Sequence, residues 1–210
     1  QDSMLSKSLP LALVDPTYLD FEMLKIFGRT SASVNEDFNQ LLIPYRCVAS
    51  AVETKKSVTF SNGKLNQAVR ASMTFPLYLN PIRIDGVLYF DGGLYNNFPI
   101  DVLYRDFQPD VIIGSNVSKN LAPVSERDFI GLLTSMMTTP TNYNLPCSEG
   151  IIIEPNTQVG TFDFEAVIQA IADGYEATIT QIPAIKNLVA FEQSEIELLE
   201  KRRAFRAALK

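Results

Sequence analysis

Asp91 is the residue whose type and setting most strongly indicate chemistry, because Gly92 and Gly93 follow it directly after an apolar run. Two adjacent glycines let the backbone turn sharply and leave room for another segment to approach closely. A carboxylate there would be held rigidly at the end of a strand, where ligand sites of open α/β sheets lie. The tripeptide alone also fits an ordinary turn in which the aspartate bonds to its own backbone.

A β-hairpin is predicted to position this aspartate. Ile82–Ile84 and Val87–Phe90 flank Asp85-Gly86, a dipeptide typical of two-residue hairpin turns. A residue that directly follows a strand lies at the end of that strand. The hairpin would therefore direct the Asp91 carboxylate toward whatever faces the strand end.

The rest of the chain alternates between helical and strand patterns. Strands are predicted at 46–52, 57–60, 110–115 and 150–153, with 110–115 as a buried parallel strand. Helices are predicted at 18–27, 66–73, 99–104, 129–137 and 164–181, with a turn at 35–42. A last helix begins near Ser194, where Ser194 and Glu197 have capping-box spacing. This alternation predicts an α/β fold, a layered sheet with flanking helices.

Composition excludes several kinds of site. The chain has 210 residues and no histidine, so it contains neither a Ser-His-Asp triad nor histidine metal ligands. Cys47 and Cys147 do not make a disulfide framework, and Cys47 is expected to be a buried structural thiol. A net charge of −6 gives no broad attraction for nucleic acid or anionic lipid.

A larger set of motifs surrounds Asp91 in a specific order. Ala71-Ser72-Met73-Thr74-Phe75-Pro76 precedes the hairpin, and Asn96-Asn97-Phe98-Pro99 follows Asp91-Gly92-Gly93. This arrangement resembles the patatin-like phospholipase family, with 46–52 similar to its central strand and 162–178 to its late helix. The resemblance runs from about residue 40 to 185. It implies a patatin-like α/β fold that is incomplete at its N-terminal side.

The resemblance also implies a function. Patatin-like enzymes hydrolyse lipid esters with a Ser-Asp dyad and no cofactor, so Asp91 would be the catalytic base, while Gly92, Gly93, Asn96 and Asn97 would support its loop. The family nucleophile lies in Gly-x-Ser-x-Gly, and this pentapeptide does not occur in the sequence. We therefore expect residues 1–190 to be the C-terminal part of a hydrolase domain, inactive alone, and 191–210 to be a terminal amphipathic helix and connector.

Alternatives to this interpretation involve other residues or no catalysis. Ser72, Ser115 and Ser118 lack the elbow glycines and are expected to pack or cap rather than attack an ester. A calcium cluster of Asp85, Asp91 and Asp101 lacks the spacing of a calcium loop. The second functional hypothesis is a patatin-derived interaction or regulatory module without hydrolase chemistry.

The expected partners follow from the same interpretation. We expect a lipid or ester substrate, peripheral membrane contact, no nucleic acid and no metal. An incomplete sheet would expose an edge, which predicts self-association or pairing with an upstream segment of the same protein. The sequence begins at Gln1 without a signal-peptide pattern, and we expect a processing boundary there. By resemblance alone, the protein would be bacterial and exported to the periplasm or outer membrane.

Overall fold

A computed structural model describes residues 12–118, 120, 125–127, 129–147, 149–189 and 193–209. Helices and strands alternate along the chain, which confirms the α/β class. The elements are α1 (Thr17–Ser33), β1 (Cys47–Ala51), β2 (Lys56–Phe60), α2 (Leu65–Ser72), β3 (Ile82–Ile84), β4 (Val87–Asp91), α3 (Ile100–Phe107), β5 (Ile112–Ser115), α4 (Phe129–Met137), β6 (Gly150–Ile153), α5 (Val167–Leu188) and α6 (Glu195–Ala208). Short 3₁₀ helices lie at Phe38–Gln40, Gly92–Leu94 and Phe164–Ala166.

The described residues form two compact units. The first contains those within 1–97, 122–141 and 195–210, and the second those within 98–121 and 142–194. The first unit holds β1 to β4 together with Asp91, and α6 belongs to it as well. In that unit Arg29 donates a hydrogen bond of 2.7 Å to the carbonyl of Leu209.

The sheet of the first unit has four strands in the order β2-β1-β4-β3, and each neighbouring pair is antiparallel. All five residues of β1 are buried, which confirms the strand predicted at 46–52 as an interior one. β1 lies between β2 and β4 and is therefore an inner strand of the sheet.

Small residues let α2 lie close to this sheet. Ala49 and Ala51 of β1, Ala71 of α2 and Tyr89 of β4 form one buried cluster. A neighbouring cluster around Phe38 includes Cys47, Leu65 and Ala68. Cys47 is buried, as predicted, and this burial raises the pKa of its thiol to about 11.

The hairpin predicted from Asp85-Gly86 is present between β3 and β4. Asp85 has φ of 48° and Gly86 has φ of 84°, and positive φ at both central residues is the requirement of a type I′ turn. Aspartate and glycine tolerate this conformation better than other residues. The turn therefore fixes the register in which β4 leads to Asp91.

The second unit contains a parallel pair, β5 and β6, which confirms a parallel strand within 110–115. We expected this strand to be completely buried, and that prediction is wrong. Ile112 and Gly114 are buried, whereas Ile113 and Ser115 are exposed. Ile112 packs in a buried cluster with Phe98 and Ile100.

Two helices extend well beyond the C-terminal ends that their patterns predict. α1 continues to Ser33 because Ser31 is buried, and its hydroxyl oxygen accepts a hydrogen bond of 3.1 Å from the Leu65 amide at the start of α2. This tertiary contact has no counterpart in local hydrophobic periodicity. α5 continues through Pro183 to Leu188. The carbonyl that a proline leaves unpaired one turn earlier can bind solvent, because no residue of α5 is buried.

The apolar stripe predicted for 164–181 lies on a helix, as expected, but its members are exposed: Phe164, Val167, Ile168, Ile171, Tyr175 and Ile179. Periodicity reports which residues share a face, and not whether that face is covered. None of the described helices is both long and apolar enough to cross a membrane.

Phe38 provides a test of the core that supports β1 and α2. Its side chain is 0% exposed, whereas Phe21 on α1 is 58% exposed. We expect Phe38→Ala to lower the free energy of unfolding by about 3–5 kcal/mol, through lost burial and a cavity. Urea denaturation would measure this. Phe21→Ala is the matched control, and an equal loss in both variants would contradict the core assignment.

Candidate active site

Asp91 is the last residue of β4 and the N-cap of the 3₁₀ helix Gly92–Leu94. Its Oδ1 accepts a hydrogen bond of 2.7 Å from the backbone N–H of Gly93. This bond caps the short helix, because the first N–H groups of a helix lack partners within it. The carboxylate is therefore oriented by its own loop.

The backbone of Asp91 is held from two other segments. Its N–H donates a hydrogen bond of 2.9 Å to the carbonyl of Thr74, in the turn that follows α2. Asp91 is also paired with Ala49 of β1 in the antiparallel ladder. Strand, turn and capping bond together restrict where the carboxylate can point.

Gly92 is required by close backbone packing. A Cβ built on Gly92 would overlap the carbonyl oxygen of Val48 and would lie 2.7 Å from Val48 Cγ2. Real Cβ atoms do not approach other atoms this closely, and the backbone of the fully buried β1 cannot easily move away. Glycine at this position lets the chain turn directly beside β1.

Gly93 lies against Asn97. A Cβ on Gly93 would be 2.6 Å from Asn97 Oδ1 and 3.1 Å from Asp91 Oδ1. The Asn96 N–H donates a hydrogen bond of 2.8 Å to the carbonyl of Gly92. The loop thus brings the five residues singled out in the sequence into one turn, and their roles in catalysis remain a prediction.

Two threonines support the same loop and were missed in the sequence. The N–H of Thr139 donates a hydrogen bond of 2.7 Å to the carbonyl of Leu94. The Thr141 hydroxyl oxygen accepts one of 3.1 Å from the Asn97 N–H. They lie more than forty positions after the residues they contact, so no local pattern connects them.

Burial raises the pKa of the Asp91 carboxyl above its ordinary value, and the hydrogen bond from Gly93 N–H partly opposes the shift. The group is thus a stronger base than an aspartate in water. A base with a pKa nearer neutrality accepts a proton more effectively in a transition state.

The serines considered in the sequence occupy ordinary structural positions. Ser72 Oγ donates a hydrogen bond of 2.9 Å to the Val69 carbonyl within its own helix. Ser118 Oγ lies 3.0 Å from the Tyr143 hydroxyl, and Ser115 is an exposed residue at the end of β5.

Ser50, on β1, is fully buried, and its hydroxyl has no hydrogen-bond partner among the described residues. It pairs with Phe90, whereas Asp91 pairs with Ala49. Because side chains alternate along a strand, Ser50 lies on the opposite face of β1 from Ala49.

Metal-ligating side chains are not gathered at this site. Within the part of the chain that the structure describes, no group of three or more histidine, cysteine, aspartate or glutamate side chains could hold a metal ion. At the site itself, the Asp91 carboxylate accepts a hydrogen bond from the Gly93 N–H.

The loop lies in a stretch that is similar to a known protein family. The model of the patatin-like phospholipase family matches residues 4–104, a stretch that contains β1 to β4 and Asp91. Residues 4–104 are therefore similar to this family. The patatin-like resemblance noted in the sequence is thereby confirmed.

Three relatives match different shares of the chain. An uncharacterized NTE family protein of Mycobacterium tuberculosis is 43% identical over 61 residues, which are 29% of this chain and 17% of the relative. A second such protein from the same organism is 25% identical over 194 residues, 87% of this chain and 32% of the relative. Mouse patatin-like phospholipase domain-containing protein 7 is 30% identical over 116 residues, 52% of this chain and 8% of the relative. The chain thus spans a third or less of each relative's length.

Gly92→Ala tests the close approach to Val48. We expect the added methyl group to cost about 1–3 kcal/mol of stability, because it forces the loop away from β1. Thermal or urea unfolding would measure the loss. Gly160→Ala is the control, since a Cβ there meets nothing within 4 Å. A Gly92→Ala protein as stable as the wild type would contradict the packing.

The raised pKa of Asp91 gives a second test. The folded state binds this proton more tightly than the unfolded state, so the carboxyl contributes most to stability below its unfolded pKa. That contribution is lost as pH rises through the folded pKa. We therefore expect Asp91→Asn, which keeps an acceptor for Gly93 N–H, to be more stable than the wild type at neutral pH.

Urea unfolding at neutral pH and at mildly acidic pH would measure this difference, which should shrink on acidification. Asp85→Asn is the matched control, because asparagine also tolerates the positive φ of that turn position. A stabilisation that is the same for both variants, or independent of pH, would contradict burial as its cause.

Proposed function

We propose that this chain contributes the aspartate of a Ser-Asp dyad to a patatin-like lipid acyl hydrolase, with the serine supplied by a segment outside these residues. The observation that carries the proposal is the Asp91 carboxylate, partly buried and fixed at a strand end by the 2.7 Å bond from Gly93 N–H. Patatin-like similarity over residues 4–104 supports an ester of a lipid as the substrate.

The first half-reaction would use Asp91 as a general base. As a serine Oγ attacks the ester carbonyl carbon, the carboxylate accepts the hydroxyl proton and a tetrahedral intermediate forms. The intermediate collapses when the ester C–O bond breaks, and the protonated Asp91 returns its proton to the departing alcohol. An acyl group then remains on the serine.

The second half-reaction repeats the same proton transfer with water. Asp91 takes a proton from the water that attacks the acyl-enzyme carbonyl, and the serine leaves with that proton as the fatty acid is released. The carboxylate is ionised again at the end. Partial burial suits both steps, since it favours proton acceptance without a histidine.

Fluorophosphonate labelling, combined with ester hydrolysis, tests this proposal. We expect the 210-residue chain to remain unlabelled and the full-length gene product to be labelled at a serine. Asp91→Asn in the full-length protein should lower hydrolysis by several orders of magnitude while the protein stays folded, because the general base is lost.

Asp85→Asn again serves as the control, since it changes the same functional group six positions earlier in the same hairpin. Its activity should match the wild type. Retained hydrolysis in Asp91→Asn would overturn the role of Asp91. Labelling of the 210-residue chain would show that the nucleophile lies within it. A full-length protein that neither reacts nor hydrolyses esters would favour the non-catalytic interaction module.

A further inference from the structure

Arg70 is a buried cation with several partners in the first unit. Its side chain lies on α2, and the residue is 2% exposed. Nε donates a hydrogen bond of 2.7 Å to Asp20 Oδ1, Nη2 donates one of 3.1 Å to the Asn80 carbonyl, and Nη1 donates to Thr74 Oγ1. A buried charge is costly unless its donors are paired, so these contacts are the reason that it can be accommodated.

Thr74 connects this cation to Asp91. Its hydroxyl donates a hydrogen bond of 2.6 Å to the Arg70 carbonyl, while the same oxygen accepts from the guanidinium. Its own carbonyl accepts the 2.9 Å bond from the Asp91 N–H. Thr74 is 0% exposed. One buried residue therefore joins the guanidinium to the backbone of the reactive carboxylate.

We propose that Arg70 and Thr74 are positioning residues for Asp91, an inference that rests on the proposed function of that carboxylate. The guanidinium closes the turn between α2 and β3 at Thr74 and at Asn80, and the closed turn presents the carbonyl that holds Asp91. A displacement of about 1 Å in a reacting group can reduce the rate by about a hundredfold. A turn locked at both ends prevents such displacement.

The ion pair with Asp20 alone does not explain this arrangement. The Asp20 side chain is 47% exposed, and exposed pairs contribute little because solvent screens them. The contact with Thr74 is wholly buried. The contact that is shielded from solvent is therefore the one between Arg70 and Thr74, and Thr74 in turn binds the Asp91 N–H.

The test uses Thr74 in the full-length gene product, because removal of Arg70 would leave buried acceptors unpaired and could unfold the protein. Thr74→Val keeps the shape but removes the hydroxyl. We expect kcat for ester hydrolysis to fall about tenfold with KM unchanged, because the variant disturbs the position of the proton-accepting Asp91 carboxylate and leaves substrate binding intact. Thr74→Ser, which retains the hydroxyl, should restore kcat.

Hydrogen exchange provides a readout that does not depend on catalysis. In Thr74→Val the Asp91 amide should exchange about tenfold faster relative to the amides of β2, because its acceptor is less firmly held. Phe38→Leu is the control for stability, since Phe38 lies in the neighbouring core cluster and not in this network. It should lower the unfolding midpoint without a selective change at Asp91.

The outcomes separate the positioning role from the proposed function. Unchanged exchange at Asp91 in Thr74→Val would overturn the positioning role, as would equal losses of kcat in Thr74→Val and Phe38→Leu at equal stability. If Asp91→Asn retains hydrolysis while Thr74→Val still accelerates Asp91 exchange, the proposed function fails, but the structural connection between Thr74 and Asp91 is supported.

Discussion

The pairing of β1 with β4 is the constraint on which the candidate site depends. β1 is buried along its whole length and is hydrogen-bonded to strands on both sides, so its backbone position is fixed. The ladder ends at the pair Ala49 and Asp91, and the next residue, Gly92, runs against the carbonyl of Val48. Any side chain at Gly92 would push the loop away from β1, and the carboxylate would move with it.

Small residues extend this constraint to the helix layer. Ala49 and Ala71 are both 0% exposed, and they allow α2 to lie close to the sheet. This proximity brings the turn after α2 within hydrogen-bonding distance of β4, where Thr74 accepts from the Asp91 amide. Larger side chains at either alanine would separate the layers and lengthen that bond. The packing of α2 on the sheet therefore also determines the position of Asp91 in the candidate site.

Local signals predicted the hairpin and the glycine loop, because the Asp85-Gly86 turn and the residues after Asp91 act on their immediate neighbours. The contact of Arg70 with Asp20 joins residues 50 positions apart and leaves no local pattern. The full extent of α1 was missed for a similar reason, since Ser31 is held by α2. Periodicity predicted the helix that became α5, but could not show that its apolar stripe is exposed.

The hydrogen bonding of the Asp91 carboxylate among the described residues explains why the site can be basic. A carboxylate that accepts two or three backbone N–H bonds becomes a weak acceptor of protons, with a depressed pKa. Gly93 N–H provides one such bond, and burial outweighs it, so the pKa is raised. The incomplete solvation that makes Asp91 a better base also makes its ionised form costly in the folded state. The rest of the fold must offset that cost, and the buried ladder, the alanine contacts and the Thr74 carbonyl are the interactions that hold the carboxylate in place.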